Sequence, residues 1–243
     1  MLLGAIVLSF GIRAASVFAL LFAAACGPAS KEPAKQAPTA KTTEEPAPPP
    51  PAASSEIGGL NEEEVERSFG RMEEAIRTCF GAGSTKVSAL GGHFKMKLRI
   101  DRQGALKWAY LAESTLGDRE TETCLLTAAR QKTWPLPVGG DGLAEKSFDL
   151  DPSSPPKELD PSKYKLAIAL ANKETAKCRK RGTWGAKFLV TAYLRIDGRP
   201  ITLGIAPPNE KGEEVVDCMV KIIQKIKFGS TGRKVAKLGF EMR

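Results

Sequence analysis

The sequence predicts an α+β fold made of two tandem copies of an α-β-β-α-β unit, each a small antiparallel sheet packed against two helices. Val65, Phe69, Met72, Ile76 and Cys79 are spaced 4, 3, 4, 3, which places them on one helix face; Tyr164, Ile168, Ala171, Thr175 and Cys178 repeat those spacings 99 residues later. Alternating strands follow in each copy, with Phe94, Met96, Leu98 and Ile100 in "HFKMKLRIDRQG" and Phe188, Val190, Ala192, Leu194 and Ile196 in "KFLVTAYLRIDGRP". A second helix then sets Cys124, Leu125, Ala128 and Ala129 against Cys218, Met219, Ile222 and Ile223 at an offset of 94, and Trp134 against Phe228 at the same offset.

Ahead of the repeat, Arg13 precedes an apolar run from Ala14 to Ala25 and then Cys26, the pattern of an export signal over residues 1–25. "FAAAC" resembles the bacterial lipobox, which implies lipid on the Cys26 sulfur and cleavage before it. Gly27, where an aspartate would retain a lipoprotein at the inner membrane, resembles the pattern of lipoproteins sent to the outer membrane. An uncleaved anchor is the rival, although Arg13 divides the apolar run into pieces shorter than the roughly 18 residues of a spanning helix. Residues 26–59 form a tether. Its segment Gly27–Glu56 holds eight of the seventeen prolines and no aromatic or large aliphatic residue, so it has nothing with which to build a core. As polyproline II it would reach roughly 90 Å.

The first unit is expected over residues 60–151. Asn61, with Glu64 three residues on, opens its first helix; Asp101 and Gly104 mark a hairpin; "EKSFDL" supplies the last strand with Phe148. Residues 152–159 read as a linker. The second unit spans 160–243, with Asp160 and Pro161 starting the helix, Asp197 and Gly198 at the hairpin, and Phe240 in "KLGFEM" answering Phe148. Trp108 and Trp134 fall at positions expected to fill a core, and Trp184, in the glycine-flanked "RGTWGAK", at an exposed one.

The order of a cysteine-ended helix, the hairpin "RIDRQGAL", "AESTL" and then C-x9-W-P-x-P resembles the AgmX/PglI-type C-terminal domain, a relative of the TonB C-terminal domain. The resemblance covers roughly 60–150. The copy at 160–243 departs from it, with Phe228 in place of the tryptophan and no counterpart of the "WPLP" prolines. The resemblance implies a small periplasmic interaction module without catalytic residues, and an edge strand able to accept a partner strand.

With Cys26 assigned to the anchor, four cysteines remain, and these allow three pairings. The duplication favours Cys79 with Cys124 and Cys178 with Cys218, each pair closing its own unit in an oxidising compartment. Buried free thiols are the alternative. Structural zinc is disfavoured because the thiols lack C-x-x-C spacing, so no metal and no cofactor is expected. The single histidine, His93, has no counterpart in the second copy and follows Gly91 and Gly92 at a strand mouth, where a surface role is the common one. Without a base to pair with a nucleophile, the chain reads as no enzyme; an envelope hydrolase is the alternative from another class, and Glu73 and Glu74 read as an exposed helix face.

Charge separates the two copies. Residues 60–150 carry 13 Lys+Arg and 14 Asp+Glu, a net of −1, whereas residues 160–243 carry 18 and 8, a net of +10. The candidate anion-binding residues are Arg179, Lys180, Arg181, Trp184, Lys187, Lys225, Lys227, Arg233 and Lys234. The expected partner is an envelope protein, an anionic glycan or lipid headgroups; nucleic acid fits an exported, tethered protein poorly. The chain thus reads as a non-catalytic outer-membrane lipoprotein facing the periplasm or the cell surface, with a TonB-like energy or gliding-motility adaptor on an uncleaved anchor as the runner-up.

Overall fold

The computed structural model describes residues 54–55, 58–179, 186–232 and 235–243, all within one compact unit, Ala47–Arg243. The predicted signal peptide, Cys26 and most of the tether lie outside the described residues.

The first helical stretch begins as expected. The Asn61 side chain accepts the Glu64 N–H at 3.0 Å, and three glutamates occupy the first turn of α1 (Glu62–Gly70). The predicted continuous helix is instead broken after Gly70 and resumes as α2 (Glu73–Lys86). At the break Met72 N–H bonds to Phe69, three residues back, a tightened turn that ends one helix and starts the next. The apolar spacing survives it, because Val65, Phe69, Met72, Ile76 and Cys79 all enter one core.

Strands β2 (Gly92–Ile100) and β3 (Leu106–Ser114) form the hairpin. Asp101 Oδ1 accepts the N–H groups of Gln103 and Ala105 at 2.9 Å each, and Gly104 supplies the positive φ of 79° that the turn requires. Helix α3 (Arg119–Arg130) and strand β4 (Gly142–Leu150) complete the segment. A two-residue strand from the expected tether, β1 (Ser54–Ser55), pairs with β4, giving the order β1-β4-β2-β3.

The remainder of the chain builds a second sheet with its own helices. Residues expected to be a linker contribute β5 (Lys157–Leu159), which pairs parallel to β8 (Val235–Met242). A 3₁₀ turn, Pro161–Tyr164, leads into α4 (Lys165–Thr175); a second, Ala176–Cys178, ends it. Then come β6 (Phe188–Arg195), β7 (Pro200–Ala206) and α5 (Glu210–Ile223). The order is β5-β8-β6-β7, so β4-β2-β3 and β8-β6-β7 share order and antiparallel direction, while β1 pairs antiparallel and β5 parallel to its neighbour. The fold is therefore α+β, with two small sheets.

Each sheet has its own core. Phe94, Met96, Leu98 and Ile100 meet Phe69 and Trp134 in the first; Phe188, Val190, Ala192 and Leu194 meet Met219 and Phe228 in the second. The aromatic ten residues after the α3 or α5 cysteine closes each core in the same way. Trp134 N–H bonds to the carbonyl of the hairpin glycine, Gly104, and Phe228 N–H to that of Gly198. Two expectations fail: Trp108 is only half-buried, tilted against Tyr110 on the outer side of β3, and Ile196 is 56 % exposed because β6 ends at Arg195.

The two cores share a seam. Terminal strands β3 and β7 lie against each other, α3 touches β7, and α5 touches β3. A third apolar cluster of Val87, Ala89, Leu90 and Tyr193 fills the space between the loop before β2 and the outer face of β6.

Candidate anion-binding surface and the seam behind it

The four cysteines form two disulfides, Cys79–Cys124 and Cys178–Cys218. Each joins a buried cysteine to an exposed one on the next helix, so the staples sit at the surface over the cores. Cys178 closes the 3₁₀ turn after α4, but the first unit's helix does not end at its cysteine as expected: Cys79 lies midway along α2, which runs on to Lys86.

Four of the predicted anion-binding residues fall among the described residues; Lys180, Arg181, Trp184, Arg233 and Lys234 do not. Arg179 follows the 3₁₀ turn at the end of α4. Its guanidinium donates to Asn172 Oδ1 at 3.3 Å and lies 5.9 Å from the Phe188 ring centroid. Burial pulls its pKa below the usual arginine value, and its Nε–H is buried with no acceptor among the described residues. Lys187 pairs with Glu241 at 3.0 Å, both side chains half exposed, a contact of small energetic weight. Arg179 and Lys187 thus flank Phe188 at the start of β6. Lys225 and Lys227 are exposed beyond the end of α5, next to Phe228, which is tied to the β6–β7 turn. Eight residues of β6 separate these ends, roughly 23 Å. The described members form two basic edges rather than one pocket.

The seam holds the charged groups that lie deepest. Asp118 caps α3, accepting Thr121 N–H at 3.0 Å, and its other oxygen takes the Thr202 hydroxyl from β7. Glu122, one turn on, accepts the Ser114 hydroxyl at 2.6 Å and the Ile205 N–H at 3.2 Å. Burial pushes Glu122 up to about 7, against the opposing pull of Ser114, Arg119 and the Ile205 amide. Gly204 lies under its carboxylate, where a Cβ would run into Oε1. Arg119 donates to Glu213 and Asp217 of α5 at 2.7 Å each; burial opposes its charge, and these two carboxylates outweigh burial and hold its pKa above the usual value. Burial likewise pushes Glu213 up, with Arg119 pulling against it.

Across the same seam the Tyr193 hydroxyl lies 3.0 Å from the Ala89 carbonyl, which it serves as donor, and accepts the Gly91 N–H at 3.2 Å. Burial pushes this phenol up to about 12. Lys237 of β8 donates to the Gly91 carbonyl at 3.0 Å, with burial lowering its pKa and Glu158 partly offsetting that. A cavity of about 310 Å³ opens at the seam among Lys86, Asp118, Arg119, Thr202, Asp217 and Lys221. Among the described residues its lining acids and bases balance, and none of the four described anion-binding candidates lines it.

None of these seam residues was singled out from the sequence. Asp118 carries a readable N-cap signal in "GDRET", but Glu122 resembles any solvent-facing helix glutamate, Tyr193 falls on the phase opposite Phe188, Val190 and Ala192, and Lys237 on the phase opposite Phe240. His93 sits within β2, with Nδ1 at 3.1 Å from Asp149 and Nε2 at 3.7 Å from Glu113, carboxylates of the two flanking strands. That arrangement links strands and leaves neither ring nitrogen directed at a nucleophile. Glu73 and Glu74 are exposed on α2. Among the described residues no cluster of three or more His, Cys, Asp or Glu could hold a metal ion, and no helix is long and apolar enough to cross a membrane.

No protein-family model, no curated protein and no solved structure matches this chain.

Proposed function

We propose that this chain is a non-catalytic lipoprotein of the bacterial envelope, made of two TonB-C-like modules of the AgmX/PglI type, whose second module binds an anionic envelope partner. The uneven charge carries this reading: −1 over residues 60–150 against +10 over 160–243, on halves whose strands β4-β2-β3 and β8-β6-β7 share one order. Since both halves build the same inner sheet, the excess charge is not a requirement of the fold, and a field of that sign concentrates anions at one end of the molecule. Two disulfides support an oxidising, extracytoplasmic setting. The export signal and Cys26 supply the membrane attachment and residues 27–53 the reach. Within this reading the seam makes the two modules a single body, so the tether positions one fixed surface.

The test is salt-dependent retention of the full-length chain on heparin or immobilised lipopolysaccharide. Lys225→Glu with Lys227→Glu should elute at distinctly lower salt than the unsubstituted chain, while Arg102→Glu with Arg130→Glu in the first half should shift elution far less. Equal shifts from both pairs would mean that retention reports net charge alone, and would overturn the assignment of the site to the second half.

A further inference from the structure

On α4, Leu166 is 90 % exposed and Leu170 45 % exposed, and with the exposed Ala169 they lie three and four residues apart on one side of the helix. The same stripe continues through the exposed Lys173 and Lys177, and the exposed Lys163 and Lys165 stand at its start. Over residues 160–179 the only acids are Asp160, bonded to Ser162 as the N-cap, and Glu174, 3.8 Å from Lys177. In the first half, 99 residues earlier, the equivalents of Leu166, Ala169, Leu170 and Lys173 are Arg67, Gly70, Arg71 and Glu74, all exposed. The first half folds with arginines and a glutamate at these positions, and neither Leu166 nor Leu170 belongs to the apolar cluster of the second half, so the leucines of α4 serve no core. Apolar side chains standing proud of a helix and ringed by lysines form the arrangement that lies flat in the boundary between headgroups and acyl chains.

We infer that this face of α4 docks on an anionic bilayer surface, the leucines entering the headgroup boundary and Lys163, Lys165 and Lys173 meeting lipid phosphates. The inference rests on the proposed anionic partner of the second half and narrows it to lipid, at a face none of whose residues belongs to the basic edges described above. Charge complementarity selects this occupant: a neutral apolar partner would gain nothing from the lysines, and a soluble polyanion nothing from the leucines.

The full-length chain carrying an environment-sensitive dye on Ala169→Cys is reconstituted with vesicles of phosphatidylcholine, alone or mixed with phosphatidylglycerol. Dye emission should rise and shift to the blue on the anionic vesicles, with occupancy at least about fivefold above that on neutral ones, the factor that a single lysine near such a surface contributes. High salt should reverse the change, and Leu166→Ser with Leu170→Ser should abolish it while leaving heparin retention unchanged. An unshifted dye in a chain that heparin still retains would overturn the lipid assignment and leave the basic half serving a protein or glycan. An unshifted dye together with lost retention would overturn both readings. A shift equal on both vesicle types would sink the anionic requirement.

Discussion

Glu122 is the residue whose environment departs furthest from what its neighbours in sequence suggest. Its pKa is about 7 in the folded chain against 4.5 for the free group. A carboxyl raised in this way keeps its proton in the folded state at pH values where the unfolded chain has lost it, so folding is favoured most below 4.5 and the benefit is lost as pH rises through 7. Urea unfolding should therefore show stability falling by roughly 3 kcal/mol between those pH values. Glu122→Gln, which removes the titration and keeps the shape, should flatten that slope and raise stability at pH 8; a slope that survives in the variant would assign it to other groups. Gly204 tests the same contact from below. Gly204→Ala pushes a methyl into a buried carboxylate and should cost about 1–3 kcal/mol, whereas Gly239→Ala in the same sheet meets nothing within 4 Å and should be nearly neutral. Paired denaturation curves distinguish them.

Among the elements, each helix pair is closed by its own disulfide, across 45 residues in the first half and 40 in the second. Loops of that length correspond to about 4 kcal/mol of chain entropy removed from the unfolded state. Cys124→Ser and Cys218→Ser should each lower stability by up to that amount, read as a shift in urea midpoint. Far-UV circular dichroism at low denaturant should change little, since both cores are otherwise filled. The helix break at Arg71 and Met72 was not legible because the spacing of Phe69, Met72 and Ile76 reads identically through a tightened turn. β1 and β5 escaped notice for another reason. Two or three residues have no detectable alternation, and they are strands only because β4 and β8 offer them an edge.

At the scale of the molecule the seam makes one body of two cores. Leu90 packs against Tyr193 across it, the Tyr193 hydroxyl bonds to Ala89, and Asp118 and Glu122 bond to Thr202 and Ile205 of β7. Residues 47–151 expressed alone would expose Leu90 and leave the Asp118 and Glu122 carboxylates without their β7 partners. Such a fragment should bind a hydrophobic dye and unfold at lower denaturant than the same residues within the full chain. In the full chain, amide exchange in β2 and β6 should report similar opening free energies, because Tyr193 and Lys237 both hold Gly91. Exchange of β6 well ahead of β2 would show halves that open separately.

The sequence alone determined the two cores, because hydrophobic periodicity and the equal spacing of cysteine and aromatic act within one stretch of chain. It placed the inward residues of β2 and β6, the caps at Asn61 and Asp160, the hairpin glycines and the disulfide partners. Charge composition likewise is a property of the chain and needs no fold. Tertiary structure decided which solvent-phase residues are buried after all. Tyr193, Lys237 and Glu122 become interior only when a second curved surface covers them, and nothing within a few residues of each encodes that approach. It also decided that Arg179 and Lys187 stand at one end of β6 and Lys225 and Lys227 at the other while the leucines of α4 stay exposed, since both depend on the rotation of each element against its neighbours.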